Sequence, residues 1–251
     1  MRCPWSSLVG LVGLAVAACG EPASGGAGAP AAVRVFAASS LAAPFEAVAR
    51  AFEAAHPGLT VELHFAGSPA LVLQLREGAA CDVFASADET NMQRVVDAGV
   101  AAGVPVPFAG NRLAIVVRAG NPQRVEGLAD LARADLKVAL CGPEVPAGKY
   151  ARDALRKAGV TVVSRSDEAN VRALVAKVHL GELDAGIVYA TDTRLAGVTG
   201  IALPAEHDVV ASYPITVIKS GENHDGGSSF LAFVRGAVGQ AILREHGFGP
   251  P

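Results

Sequence analysis

From Val33 onward, short apolar runs alternate with longer stretches in which apolar residues recur every three or four positions. Residues 33–37 have strand character. In residues 41–55, Phe45, Val48, Ala49 and Phe52 mark one helical face before His56-Pro57-Gly58 stops the pattern. Residues 60–65 alternate as a second strand, and Gly67-Ser68-Pro69 opens a helix that runs past Gln74 and Arg76 to Gly78. A third unit pairs a strand at 82–85 with a helix at 89–97, closed by Gly99.

The strongly apolar residues 112–118 read as a strand carrying the chain into a second body. There the alternation restarts. It predicts a helix at 128–133, a strand at 137–140, a helix at 147–157, a strand at 161–164, a helix at 170–180 and a strand at 185–189. After the apolar residues 201–203, residues 213–218 read as a returning strand, followed by helices at 229–238 and 239–245. Regular alternation of strand and helix implies an α/β protein with mostly parallel sheets. Two crossings divide it into one lobe of residues 33–111 plus 208–251 and another of residues 112–207. Ligands of such sheets sit beyond the carboxyl ends of the strands, here in the cleft between the lobes.

The first nineteen residues, with Arg2 and an apolar run over 8–18, have the form of an export signal too short to span a bilayer. Val16-Ala17-Ala18 before Cys19 is similar to a bacterial lipobox, which would attach diacylglycerol to Cys19; the alternative is a soluble protein cleaved near Ala18. Residues 20–32 form a Gly/Pro/Ala/Ser tether with nothing to pack. The expected location is the periplasm, anchored to a membrane as a lipoprotein. Of the 4 cysteines, Cys81 and Cys141 remain in the globular part, and their assignment to different lobes predicts two free thiols.

Composition narrows the function classes. The 251 residues, 51% hydrophobic, suffice for two medium cores. A net charge of −3 gives no basic footprint for nucleic acid. The six histidines are scattered, no Cys/His spacing fits zinc, and neither a G-x-S-x-G elbow nor a phosphate-binding G-x-x-x-x-G-K-[ST] loop occurs. An enzyme is not expected, nor is a cofactor.

Two segments share one grammar of strand, serine and helix with proline in its first turn: Phe36 through Pro44, containing Ser39 and Ser40, and Phe65-Ala66-Gly67-Ser68-Pro69. Each serine taken alone is explained as an ordinary N-cap. Together, two helix starts facing one cleft offer hydroxyls, free amides and positive dipole ends, which suits an anion. Pro146-Ala147 and Asn170-Val171 open two further helices in the other lobe.

The blocks VRVFAASSL (33–41), FAGSPAL (65–71), DVFASAD (82–88), CGPEVPAGKYAR (141–152), NVRALVAKV (170–178) and GIVYATD (186–192), in this order, resemble the signature blocks of the periplasmic molybdate-binding protein family. The resemblance implies a two-lobed type II periplasmic-binding fold closing on a tetrahedral oxyanion. Neutral hydrogen bonds hold that ion, and no Lys or Arg touches it. Carried over position by position, it implies ligand contacts from the Ser40 and Ser68 hydroxyls, the Ala147 and Val171 amides and the Tyr189 hydroxyl. It also implies a membrane permease with its ATPase as partner, a monomeric state, and tungstate as a second ligand. The molybdenum would be bound only as oxyanion, without direct protein ligands. Sulfate on the same fold is the alternative. Two departures stand out: Pro69 removes one amide, and Lys149 follows Gly148 where an apolar residue is common. Lys149 could strengthen anion capture or point to solvent.

Overall fold

The computed structural model describes residues 31–251. The export signal, Cys19 and the tether up to residue 30 lie outside the described residues. The alternation seen from Val33 becomes β1 (Ala31–Ala38), which takes in the last two tether residues, then a 3-10 turn (Ser39–Leu41) and α1 (Ala42–Ala55). β2 (Leu59–Ala66), α2 (Ser68–Arg76), β3 (Val83–Ala85), α3 (Glu89–Asp97) and β4 (Val106–Asn111) complete the first pass. The second body holds β5 (Leu113–Arg118), a 3-10 turn (Leu128–Ala132), β6 (Val138–Cys141), α4 (Pro146–Lys157), β7 (Asp167–Glu168), α5 (Val171–Leu180), β8 (Ala185–Tyr189), a 3-10 turn (Ala190–Arg194) and β9 (Val198–Ala202). β10 (Ala211–Val217), α6 (His224–Arg235) and α7 (Ala237–Glu245) return to the first.

Two five-stranded sheets result, ordered β2-β1-β3-β10-β4 and β7-β6-β8-β5-β9. β1 pairs in parallel with β2 and β3, and β6 with β7 and β8. The parallel part of each sheet is therefore three strands, and the crossing strands add antiparallel pairs: β10 with β3 and β4, β5 with β8 and β9. The reason is directional. β3 and β8 end at the cleft, whereas β10 and β5 enter their sheets from the crossing and run away from it.

Packing follows the period of each element. In β3, Val83 and Ala85 point into the main apolar core while Phe84 points into a smaller cluster with Leu71, Leu75, Met92 and Val95 of α2 and α3. On the opposite face, Phe45 and Phe52 of α1 meet Phe230 of α6 edge-on at 6.0 and 5.3 Å between ring centroids, a geometry that favours aromatic pairs. Asp82 ties the C-terminal segment to this lobe by accepting the Arg34 and Asn223 N–H groups, each at 2.7 Å. The first five residues of β5 are apolar and buried, and only Arg118 at its end is partly exposed. Cys81 and Cys141 are buried and free, and burial pushes both thiols up to about 12.

Three local expectations change. Residues 161–164 form no strand: the Ser164 hydroxyl accepts the Leu140 N–H at 3.1 Å, taking the place of a strand carbonyl, and Val163 faces solvent. Pairing resumes only at β7. Residues 128–132 form a 3-10 turn rather than a longer helix, with Asp130 accepting the Glu126 and Gly127 N–H groups ahead of it. α6 begins at His224, upstream of the expected start, because Asn223 caps it by accepting from Gly226.

One glycine fixes where α4 sits. A Cβ on Gly148 would lie 2.1 Å from the Gly142 carbonyl oxygen and 2.3 Å from that of Cys141, so the helix start rests directly on the end of β6. Gly148→Ala is expected to push α4 off the strand end and lower stability by about 1–3 kcal/mol, the usual cost of overpacking. The midpoint of urea unfolding checks this, and an unchanged midpoint would show that α4 tolerates the displacement.

Candidate functional site

The carboxyl ends of β1, β2, β6 and β8 meet the starts of the first 3-10 turn, α2, α4 and α5 around one small cavity. Its volume of about 10 Å³ is lined by Ser39, Ser40, Gly67, Ser68, Ala87, Pro146, Ala147, Asn170, Val171 and Tyr189, with Ala38, Ala66 and Val145 completing the wall. The structure thus gathers all five residues singled out in the sequence, Ser40, Ser68, Ala147, Val171 and Tyr189, from both lobes. All five are buried. No charged side chain is among the lining residues.

The serines do not cap their helices. The N-cap positions are Ala38 and Gly67, and neither supplies a side-chain cap. Instead the Ser68 Oγ accepts the Ala87 N–H at 3.2 Å, which leaves its own proton to donate elsewhere. The Ser40 Oγ lies 3.1 Å from the Tyr213 hydroxyl, and when Tyr213 donates, Ser40 keeps its proton for the cavity. Burial raises the Tyr213 phenol pKa.

Backbone amides add further donors, since the first N–H groups of a helix have no partner within it. In α4 the ladder begins with Lys149 N–H to the Val145 carbonyl at 2.9 Å, leaving the Ala147 and Gly148 amides ahead of it, with no side-chain cap. In α5 the Asn170 side chain accepts from Ala173, so the Val171 and Arg172 amides precede the capped position. In α2, Pro69 has no N–H, and Ala70 and Leu71 both donate to the Gly67 carbonyl. Only the Ser68 amide remains there. The positive ends of these helix dipoles point at the same space.

Tyr189 completes the wall at the end of β8. Its hydroxyl is the one buried side-chain polar atom without a hydrogen-bond partner among the described residues. Burial, followed by the neighbouring Tyr213, raises its pKa, so it stays a neutral phenol with a proton to give. Its ring rests edge-on against Tyr213 at 5.6 Å. Beneath it, the Asp192 carboxylate oxygen accepts the Tyr189 N–H at 3.1 Å, and burial pushes that carboxyl up to about 7.

Lys149 does not line the cavity. Its ammonium donates to the Thr90 hydroxyl of α3 at 2.8 Å, across the cleft. Ser39 and Asn170 lie in the candidate segments without being assigned a ligand contact, and Ala87, Tyr213 and Asp192 have no place in them. Ser39 had a visible signal as the neighbour of Ser40. Tyr213 and Asp192 act through tertiary contacts that no spacing announces. The described residues hold no cluster of three or more His, Cys, Asp or Glu able to grip a metal ion, and no helix among them is long and apolar enough to cross a membrane.

Known proteins resemble this chain along most of its length. Residues 33–249 match the family described as bacterial extracellular solute-binding protein. A molybdate-binding protein ModA of Mycobacterium tuberculosis is 39% identical over 246 residues, covering 96% of this chain and 94% of the relative. Among solved structures, a periplasmic molybdate-binding protein of Azotobacter vinelandii superposes with a TM-score of 0.75 at 22% identity, covering 87% of this chain and 99% of its own. The sulfate-binding protein SubI of M. tuberculosis superposes with a TM-score of 0.78 at 19% identity, covering 88% and 87%. Both superpositions establish the fold. Its two lobes, its neutral donor-lined cavity and its similarity along nearly the whole length place the chain in the bacterial extracellular solute-binding protein family, beside its molybdate-binding relatives.

Proposed function

We propose that this chain binds molybdate, and tungstate with it, and delivers the oxyanion to an ABC-type membrane permease and its ATPase. The observation that carries this reading is the unpartnered Tyr189 hydroxyl, buried at an uncharged cavity edged by serine hydroxyls and helix-start amides. A dianion is the acceptor such a site lacks. Each charge-assisted hydrogen bond would contribute about 1.5–3 kcal/mol, and together they would offset the large cost of removing the charge from water. The relatives favour molybdate over sulfate: the molybdate-binding relative is 39% identical, whereas the sulfate-binding protein, at 19%, shares the fold alone. We further propose that the protein acts as a monomer with no catalytic activity or cofactor, and that it is held at the outer face of a membrane by a lipid on Cys19.

Donors without matching acceptors also discriminate by protonation. Hydrogen phosphate carries a proton that a donor-only wall cannot accept, whereas molybdate, tungstate and sulfate are fully ionised. Sulfate must then be excluded by size. In thermal unfolding, molybdate and tungstate at about 100 times their dissociation constants are expected to stabilise the protein by roughly 2.7 kcal/mol, and phosphate is expected to leave the curve in place. A transition unmoved by millimolar molybdate sinks the reading.

Single substitutions separate ligand donors from structural groups. Tyr189→Phe keeps the ring packed on Tyr213 and removes only the orphaned hydroxyl, so affinity is expected to fall about ten- to two-hundredfold. Unliganded stability should hold or rise, because an unsatisfied buried polar atom is lost. Ser40→Ala and Ser68→Ala should also weaken binding, with Ser68→Ala losing some stability because the Ala87 N–H is left unpaired. Calorimetric titration of each variant decides, and wild-type affinity in Tyr189→Phe removes that residue from the site.

For the anchor, Cys19→Ala is expected to move the protein from the membrane fraction to the soluble periplasm with molybdate affinity unchanged. Fractionation followed by titration checks both parts, and continued membrane association of the variant would point to another anchor.

A further inference from the structure

The five site residues are buried between the lobes, so a ligand enters or leaves when the lobes part. Beside the cavity, α3 of the first lobe meets the segment around the start of α4 of the second through two polar contacts. Arg94 donates to the Glu144 carboxylate at 2.5 Å, and Lys149 donates to Thr90 at 2.8 Å. Neither contact touches the cavity, but Glu144 and Lys149 closely flank the lining residues Val145, Pro146 and Ala147. α4 begins at Pro146 and carries Ala147, and α3 follows directly on the loop that carries Ala87.

A chain of hydrogen bonds joins this contact to the site. The Arg94 guanidinium also donates to Asn91 Oδ1 at 3.2 Å, and the Asn91 side chain donates to Asp88 Oδ1 at 2.9 Å. Asp88 caps α3 by accepting the Asn91 N–H at 3.0 Å. The residue before it, Ala87, donates its N–H to the Ser68 hydroxyl of the cavity wall. Arg94 is thereby held in place from beneath, which reduces the side-chain entropy lost when it meets Glu144.

We propose that Arg94–Glu144, assisted by Lys149–Thr90, is an interlobe latch that sets how long the bound oxyanion is retained. These four are positioning residues. They act on the closed state, not on the ligand. Because the pair is half-exposed, its effect is modest and sensitive to salt. A latch that holds the lobes together slows dissociation, and it biases the ligand-free protein toward the closed arrangement as well.

The proposal rests on oxyanion binding, and its test separates the two ideas. Dissociation of radiolabelled molybdate, chased with excess unlabelled molybdate, is measured at low and high salt in the full-length wild type, Arg94→Glu, Glu144→Arg, the double exchange, and Lys149→Met. The single reversals, which set like charges face to face, are expected to release ligand about three- to tenfold faster at low salt. Lys149→Met should do so about two- to threefold, and the double exchange should return to the wild-type rate. High salt should shrink the differences. Small-angle scattering of the same ligand-free proteins gives the second readout: each reversal should enlarge the radius of gyration at low salt, and the double exchange should restore it. If the wild type fails to take up molybdate, the functional reading falls and the scattering alone decides the latch. Unchanged release rates in the reversals, or no recovery in the double exchange, overturn it.

Discussion

A helix that starts inside a protein leaves its first N–H groups without acceptors, and several such starts here face one another across one cavity. A capping side chain is the ordinary remedy, and its absence costs a helix about 0.5–2 kcal/mol. α2 and α4 begin at Gly67 and Val145 with no side-chain cap. An Asp or Asn at either position would satisfy those amides and fill the space with its own carbonyl or carboxylate. α3, whose start is set back from the cavity, is capped by Asp88 in the usual way. α5 also opens onto the cavity, but its Asn170 cap accepts only the Ala173 N–H, so the Val171 and Arg172 amides stay ahead of the capped position.

The same logic explains where the charges are. The net charge is −3, so an anion gains nothing from the field of the whole molecule. No ion pair among the described residues reaches the cavity wall, which is neutral. A buried Lys or Arg at the wall would attract any anion, protonated or not, and would itself require a partner whenever the cavity emptied. Neutral dipoles carry no such requirement. Behind Tyr189, burial pushes the Asp192 carboxyl up to about 7, which weakens the negative charge it places beside the cavity.

Much of this was legible in the sequence because strand and helix periods are local. The runs at 33–37, 60–65, 89–97 and 185–189 correspond closely to β1, β2, α3 and β8. What failed were segments decided by partners. Residues 161–164 look like a strand, but the Ser164 hydroxyl occupies the neighbouring N–H and leaves Val163 in solvent. β4 went unread because its Pro and Gly residues, Pro107 and Gly110, interrupt the alternation, and its pairing with β10 is irregular at Tyr213 and Pro214. Among site residues, Ser40 and Ser68 sit beside recognisable strand-to-helix turns. The Tyr213 hydroxyl that meets Ser40 lies 173 residues further along, and no local pattern could have joined them.

Gly67 brings these constraints together. As the N-cap of α2 it contributes no side chain to satisfy the helix start, and it is also a point where the lobes approach backbone to backbone. A Cβ there would lie 2.4 Å from the Ala169 carbonyl oxygen, one residue before the start of the α5 cap. The approach of α2 to α5, which carry Ser68 and Val171, is therefore limited by main-chain atoms rather than by a flexible side chain. Main-chain contacts between packed elements have little freedom to relax, because interiors are close-packed and resist compression. A cavity bounded in this way has a nearly fixed size in the closed state. That is the property needed to tell apart two dianions that offer the same charge and the same four acceptor oxygens, since hydrogen-bond chemistry alone treats them alike.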